Sequence, residues 1–261
     1  KLPIVNTWLS TPVRDVPSVV PDSAAAGRLL ADHLIDRGIR QTICLIRRGD
    51  VSERRSAQSV AALMGAADGA CQIVAVSQKF ARNRKRWRQT RAVLEEWIRK
   101  SPLPVGVYAG DDILGRLVAQ TCVDIGLHVP GDIALVTGDN EPTICHYPEP
   151  SLTSIDFGYD RIGYEAARLM DDLLAGGEPP SAPIMLPPRQ LVVRHSSDFL
   201  YVDEPVVTRA MQYIASHVRD PITVDDVADA VGVSRRTLEN RFNSHLSRSV
   251  ESEMRRVRLE H

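Results

Sequence analysis

The stretch PVGVYAGDDILGRLVAQTCVDIGLHVPGDIALVTGD, at residues 104–139, contains a complete strand–helix–strand unit. The apolar run at 104–108 predicts one strand, and the apolar run at 133–136 predicts another. Between them, residues 112–125 have the spacing of an amphipathic helix, and Gly126 follows as its stop. Strands joined by a helix of this length lie parallel in one sheet, so the stretch predicts an α/β fold.

The same alternation extends upstream. Apolar runs at 42–46 and 72–76 predict two further strands, and helical spacing predicts helices over 24–37, near 56–67 and over 87–100. The result is an α/β domain in which helices cover both faces of a parallel sheet. Weaker patterns predict an opening strand at 2–8 and edge strands at 184–188 and 191–194.

The composition is that of an ordinary globular protein. Of 261 residues, 43% are hydrophobic and 25% are charged, and the net charge is −1, which argues against wholesale disorder, a collagen-like fibre or a disulfide scaffold. The length suggests one large or two modest domains. The four cysteines are widely spaced and predict small core residues, so we expect no metal site, no cofactor and a reducing cytoplasm.

Two predicted strands end in acidic tips. Asp111 follows the strand at 104–108, and Asp139 follows the strand at 133–136, each directly after a glycine. Ligands of parallel sheets bind outside the carboxyl ends of the strands, where an aspartate offers a hydrogen-bond acceptor to hydroxyls. The alternative interpretation is that each aspartate caps the next helix or turn.

After Pro205 the pattern changes to short helices only, and the aperiodic segment 195–205 is the predicted domain boundary. Thr223 is a predicted N-cap for a helix over 224–231, Gly232 and Val233 form a turn, and Ser234 caps the helix 235–245. Two short helices joined by a glycine turn are typical of a helix-turn-helix unit.

The second of these helices has two distinct faces. Leu238 and Phe242 form an apolar stripe, whereas long polar side chains that can reach base edges in a major groove lie on another face, namely those of Arg236, Glu239, Asn240 and Asn243. Arg235 and Arg241 flank the stripe and are candidates for phosphate contacts. An ordinary solvated helix face is the alternative.

The most basic stretch of the chain, residues 79–91, lies between a predicted strand and a predicted helix. We interpret it as a solvated loop and helix N-terminus, with a partner surface as the alternative.

The order of these motifs resembles the XylR-type regulators. In that family, a sugar-binding domain of the LacI and periplasmic-binding-protein type precedes an AraC-type DNA-binding domain. The resemblance depends on matching stretches along most of the chain: 22–38, 129–136, 138–141, 150–155, 163–167, 191–198, 228–242 and 256–260. Finding both kinds of motif in this order is more specific than either alone.

The resemblance implies a division of the chain. Residues 1–198 would form the sugar-binding domain with an incomplete N-terminal lobe, and residues 205–261 the first half of the AraC-type domain. Residues 22–152 would supply most of the second lobe, whereas the first lobe would be represented by the strand near 3–7 and by the segment 154–194. We therefore expect the chain to be a piece of a longer protein.

The resemblance also implies a function. The chain would be a cytoplasmic transcription regulator, a homodimer that binds operator DNA and responds to a small sugar such as D-xylose. Asp111 and Asp139 would accept hydrogen bonds from the sugar, Trp8 would stack on it, and the DNA contacts would come from Arg235, Arg236, Glu239, Asn240 and Asn243. A sugar receptor without DNA binding and a sugar-processing enzyme are the alternatives; we expect no enzyme, because no catalytic motif is present.

Three positions depart from the family pattern. Gly110 stands where the family often has asparagine, and Ser56 stands where it has an arginine at the start of the second-lobe helix. Both leave the identity of the sugar open. Ser247 replaces the glycine that usually follows the recognition helix.

Overall fold

The structure is a computed structural model. It describes residues 3–10, 15–77, 79, 84–199, 201–202, 204–218 and 220–259. Part of the basic stretch at 79–91 lies outside the described residues.

Eight strands and ten α-helices are present in the described residues. The strands are β1 (Val19–Pro21), β2 (Gln41–Arg47), β3 (Ala70–Val76), β4 (Val105–Ala109), β5 (Ile133–Gly138), β6 (Thr153–Asp156), β7 (Ile184–Leu186) and β8 (Gln190–Val192). The helices are α1 (Ser23–Asp36), α2 (Val51–Ala66), α3 (Arg84–Lys100), α4 (Asp112–Asp124), α5 (Pro142–Cys145), α6 (Tyr159–Leu174), α7 (Pro205–Ser216), α8 (Val224–Val231), α9 (Arg235–Leu246) and α10 (Val250–Leu259).

The main sheet has six strands in the order β3-β2-β4-β5-β6-β8. Its first five strands are parallel, and β8 pairs antiparallel with β6 at the edge. Side chains alternate across the sheet, so that Cys44 and Ile46 belong to an apolar cluster with α1 and α2, whereas Ile43 and Leu45 belong to a cluster with α3 and α4. The predicted parallel sheet with helices on both faces is confirmed.

A second, smaller layer lies beside this sheet. β1 and β7 pair in parallel, and α6 packs on them through Ile162, Ala166 and Leu169 around Val19. The strand expected at 2–8 is reduced to a single bridge between Asn6 and Ser18. This smaller layer therefore consists of β1, α6 and β7, while β6 and β8 belong to the main sheet.

Helix α2 begins at Val51, five residues before the sequence pattern suggested, because the side chain of Asp50 accepts a hydrogen bond from the backbone nitrogen of Glu53. This early start matters for the site, since it places Glu53 on the first turn of the helix.

The residues after Glu204 form four helices, which we call the helical part. In α8, Thr223 and Asp226 form a reciprocal capping box, and Gly232 ends the helix with a φ of 73°. The side chain of Ser234 caps α9. Leu238 and Phe242 are fully buried, as the apolar stripe predicted.

In the described part of the chain, no helix has both the length and the apolar character needed to cross a membrane.

A serine occupies a left-handed position at the end of α9. Ser247 has a φ of 51° and a ψ of 32°, a conformation that costs a residue with a β-carbon about 1 kcal/mol. Glycine at this position avoids that cost. The turn that follows α9 therefore keeps its usual geometry although the usual residue is absent.

We predict that Ser247→Gly raises the free energy of unfolding by about 0.5–1 kcal/mol, measured by urea denaturation. The matched control is Ser244→Gly, the same substitution inside α9, which should lower it by about 0.5 kcal/mol. A loss of stability in Ser247→Gly would show that the left-handed backbone is not under strain.

Candidate functional site

The strand register brings three charged residues to one edge of the main sheet. Leu45 of β2 pairs with Ala109 of β4, and Ala109 pairs with Thr137 of β5. The residues two positions further along each strand are Arg47, Asp111 and Asp139, so they meet where the parallel strands end. The two aspartates that the sequence singled out therefore share one site, together with an arginine.

Asp111 serves both as a helix cap and as an ion-pair partner. Its Oδ1 accepts a hydrogen bond of 2.6 Å from the backbone nitrogen of Leu114, the cap of α4. Its Oδ2 lies 3.2 Å from Nη1 of Arg47. The residue is 6% exposed. The capping interpretation is correct for one oxygen, and the other oxygen is paired with Arg47.

Asp139 lies in a strained loop and is aimed at an aromatic hydroxyl. Its φ is 91°, a left-handed value that residues with a side chain rarely adopt. The hydroxyl of Tyr159 donates a 2.6 Å hydrogen bond to Oδ1 of Asp139. Burial raises the pKa of Asp139 to about 6, against the opposing effect of that hydrogen bond. A fraction of this carboxyl is therefore protonated near neutral pH.

Arg47 and Glu53 form a second pair that sequence reasoning missed. The guanidinium of Arg47 is hydrogen-bonded to the carboxylate of Glu53, which is 4% exposed. Burial raises the pKa of Glu53 to about 7 although Arg47 lowers it. The only hint in the sequence is that Arg47 directly follows the apolar run 42–46.

Gly110 makes room for Glu53. A β-carbon on Gly110 would lie 2.3 Å from the carboxyl carbon of Glu53, well inside contact distance. A side chain at position 110 would therefore require the Glu53 carboxylate to move from its place beside Arg47. The pair gives this site a polar lining different from the one the family pattern implies.

Asp112, next to Asp111, has a structural role. It accepts hydrogen bonds from the hydroxyl of Ser154, at 2.8 Å, and from the backbone nitrogen of Glu141, at 2.8 Å. These contacts hold the loop after β5 against β6. The buried carboxylate of Asp112 therefore holds the loop that carries Asp139.

Aromatic side chains close the other side of the site. The pocket between them is lined by Trp8, Pro21, Arg47, Asp50, Ser52, Glu53, Ser56, Tyr108, Gly110, Asp139, Phe157 and Tyr159, with a cavity of about 10 Å³. That is room for about one water molecule. A ligand larger than a water molecule fits there only if the surrounding side chains or layers move apart. Trp8 also lines this pocket and is 38% exposed.

A larger cavity, of about 440 Å³, lies at the opposite end of the strands beneath α3, lined in part by Gln41, Gln72, Trp97 and Lys100. It lies at the amino ends of β2 and β3, away from the edge where the strand-end loops meet. In parallel sheets ligands bind at the carboxyl ends, so we place the functional site at Arg47, Asp111 and Asp139.

The candidate DNA-contacting side chains lie on one side of α9. Arg235, Arg236, Asn240 and Asn243 are exposed, and Glu239 is half-buried. Arg235 contacts Asp225 of α8 at 3.2 Å. Arg241 instead binds Glu204, the N-cap residue of α7, at 2.6 Å. Its guanidinium is therefore already paired with a carboxylate.

The chain matches the family described as a periplasmic binding protein-like domain over residues 31–197. It is 32% identical over 174 residues to the xylose operon regulatory protein of Escherichia coli K12, covering 67% of this chain and 44% of that relative. The chain thus spans less than half the length of this relative. The relatives found are transcription regulators, not enzymes, in agreement with the expectation that the chain is no enzyme.

Solved structures match in fold. One is described as the xylose-binding transcription activator xylR, with a TM-score of 0.78 and 26% identity over 99% of this chain and 69% of that one. Another is a complex of the transcriptional regulator CelR with cellobiose, with a TM-score of 0.59 and 24% identity over 74% of this chain and 57% of that one. The second structure, at 24% identity, is evidence for the fold alone.

We predict that Asp139→Asn stabilises the chain at pH 7.5. The pKa of this carboxyl is about 6 in the folded chain and 3.8 ordinarily. Its ionisation therefore lowers the free energy of unfolding as pH rises from about 4 to 6, and this loss of stability is complete above about pH 6. The neutral amide removes that cost and still accepts the Tyr159 hydrogen bond. The free energy of unfolding should rise by about 2 kcal/mol at pH 7.5, and the gain should be largely gone at pH 4.

The measurement is urea unfolding at the two pH values, with Asp172→Asn on the exposed side of α6 as the control. A gain that is equal at both pH values would mean that the effect does not come from the ionisation of Asp139.

Proposed function

The chain belongs to the periplasmic binding protein-like family, and from this premise we propose that it is the sugar-sensing portion of a transcription regulator, joined to a helix-turn-helix unit that binds operator DNA. The proposal rests on two features that occur in the same chain. A polar, aromatic-lined site lies at the sheet edge, and a second capped helix exposes arginine and asparagine. The likeness to xylR over 99% of the chain supports it, because that likeness includes the helical part.

The chemistry of the site fits a small carbohydrate. A pentose offers hydroxyl donors and a ring oxygen, which carboxylates and an arginine recognise by hydrogen bonds. We assign Asp111 and Asp139 as acceptors and Trp8 as the stacking surface. Arg47 would hold Asp111 in place, and Glu53 would in turn hold Arg47. An acceptor left unpaired by a wrong sugar costs about 1–3 kcal/mol, which is enough for selectivity. We propose D-xylose as the effector, since the xylose operon regulatory protein is a relative.

The chemistry of α9 fits a major groove. Arg236 and Asn240 lie four residues apart on the exposed side, where arginine pairs with guanine and asparagine with adenine in bidentate fashion. Glu239 and Asn243 offer further contacts, and Arg235 lies at the helix N-terminus near the expected phosphates. A homodimer in the cytoplasm would place two such helices on two half-sites.

The response would be a population shift. A sugar that binds one arrangement of the layers better than another changes the fraction of molecules with DNA-binding units in the right orientation. The size of the response is limited by the difference in sugar affinity between the two arrangements.

For the sugar site, D-xylose should raise the melting temperature of the longest natural form of the protein by several degrees at 100 times its Kd, because binding to the native state alone adds about 2.7 kcal/mol there. Asp139→Asn should keep the fold and lose the xylose-dependent shift, whereas the control Asp172→Asn should keep it. No shift with D-xylose in the unaltered protein would rule out the proposed effector, and a panel of other pentoses and hexoses would then identify the class.

For the DNA site, Arg236→Ala and Asn240→Ala should each reduce the preference for operator over random duplex by about 10- to 100-fold, since a good bidentate base contact contributes about 1–3 kcal/mol of discrimination. Fluorescence anisotropy with a duplex selected from a random library measures this, and Ser244→Ala on the same helix is the control. Sugar binding without any DNA preference in the unaltered protein would instead point to a sugar receptor.

A further inference from the structure

The carboxylate of Asp198 lies between two arginines that come from different parts of the chain. Its Oδ2 is 2.6 Å from Nη1 of Arg256 on α10, and its Oδ1 is 3.7 Å from Nη2 of Arg37 at the end of α1. We call these three residues the Asp198 clamp. Arg256 also binds Glu253, which is 1% exposed within the helical part. One side chain therefore joins the α/β part to the last helix.

The surface around the clamp is closely packed. The backbone nitrogen of Tyr201 bonds to the carbonyl of Arg37 at 2.8 Å, and a β-carbon on Gly38 would lie 2.2 Å from the carbonyl oxygen of Tyr201. Gln212 of α7 donates to the carbonyl of Gly131 at 3.0 Å. Tyr201 belongs to the same apolar cluster as α1 and α7. The helical part is thus docked on the α/β part through contacts that include Asp198 and Tyr201.

Buried hydroxyls connect the clamp to the main sheet. The carbonyl of Ser197, next to Asp198, accepts a 2.7 Å hydrogen bond from Nε of Arg37. The hydroxyl of Ser197 bonds to that of Thr153 on β6 at 2.7 Å and lies 2.7 Å from Nε2 of His33. Ser197 and Thr153 are fully buried. A shift of β6 therefore moves the residue that precedes Asp198.

The same strand is tied to the sugar site. Arg194 donates its backbone hydrogen to Thr153 at 2.9 Å and its guanidinium to Oδ1 of Asn140 at 2.7 Å. The backbone nitrogen of Asn140 bonds to the hydroxyl of Ser154 on β6 at 2.9 Å. Asn140 directly follows Asp139, and both have positive φ values, so a ligand that pulls on Asp139 acts on a loop that is already strained.

We propose that Asp198 is the positioning residue through which the sugar site sets the orientation of the helical part. The contacts run from Asp139 and Asn140, through Arg194, Thr153 and Ser197, to the Asp198 clamp and α10. This inference rests on the proposed function for its sugar and DNA ligands. The side chains of Asp198 and Arg256 are 32% and 27% exposed, so solvent reaches their ion pair, whereas Ser197 and Thr153 are fully buried.

The first test measures the ratio of operator Kd values without and with saturating D-xylose in the longest natural form of the protein. Asp198→Asn should reduce this ratio to within twofold of one, while the Kd for xylose stays within twofold of its original value. Asp198→Glu, which keeps the charge, and the exposed control Asp172→Asn should keep the original ratio. A purely structural role would lower both affinities and leave the ratio unchanged, and an unchanged ratio in Asp198→Asn overturns the proposal.

The second test needs neither ligand. Amide hydrogen exchange should become several-fold faster in Asp198→Asn than in the unaltered chain, both in α10 and in the segment 195–197 with β6, and should remain unchanged in Asp172→Asn. If the exchange rates in Asp198→Asn are unchanged, the proposed role of the Asp198 clamp is wrong, whether or not the protein responds to xylose. If the unaltered protein does not respond to xylose, the proposed effector fails, and the exchange experiment still decides the clamp.

Discussion

One arginine makes the candidate site possible. Three carboxylates that are at most 6% exposed, those of Asp50, Glu53 and Asp111, lie around Arg47 at the edge of the sheet. Without a positive charge, burying several carboxylates together would force them to take up protons. Arg47 allows Asp111 to keep its helix cap and to present its second oxygen to the site. The raised pKa values of Glu53 and Asp139 show that the compensation is incomplete.

Backbone strain is also present at this edge of the sheet. Asp139 and Asn140 both have positive φ values, and both lie on the loop that follows β5. Buried charge and strained backbone lower stability, and such features persist where a ligand uses them. The polar contacts that hold this loop, from Asp112 on one side and Arg194 on the other, continue into the segment that carries the helical part. Site and helical part are thereby linked through β6.

Local sequence patterns were enough to predict the alternating strands and helices, because apolar runs and caps such as Ser234 act within a few residues. They also placed Asp111 and Asp139 at strand ends. Arg47 was missed because its contact with Asp111 depends on β2 lying beside β4. Glu53 was missed because it reaches Arg47 from the first turn of α2, and the cap at Asp50 starts that helix earlier than its apolar spacing indicates. The strand predicted at 2–8 was wrong in extent, since among the described residues 3–8 only Asn6 pairs, with Ser18.

Binding of a carbohydrate at the carboxyl edge of the sheet can be observed in a crystal structure of the longest natural form of the protein with D-xylose. We expect sugar hydroxyls within about 3 Å of the carboxylates of Asp111 and Asp139, with Trp8 against the ring. A sugar bound elsewhere, for example in the cavity beneath α3 with Arg47 and both aspartates in their present contacts, would contradict it.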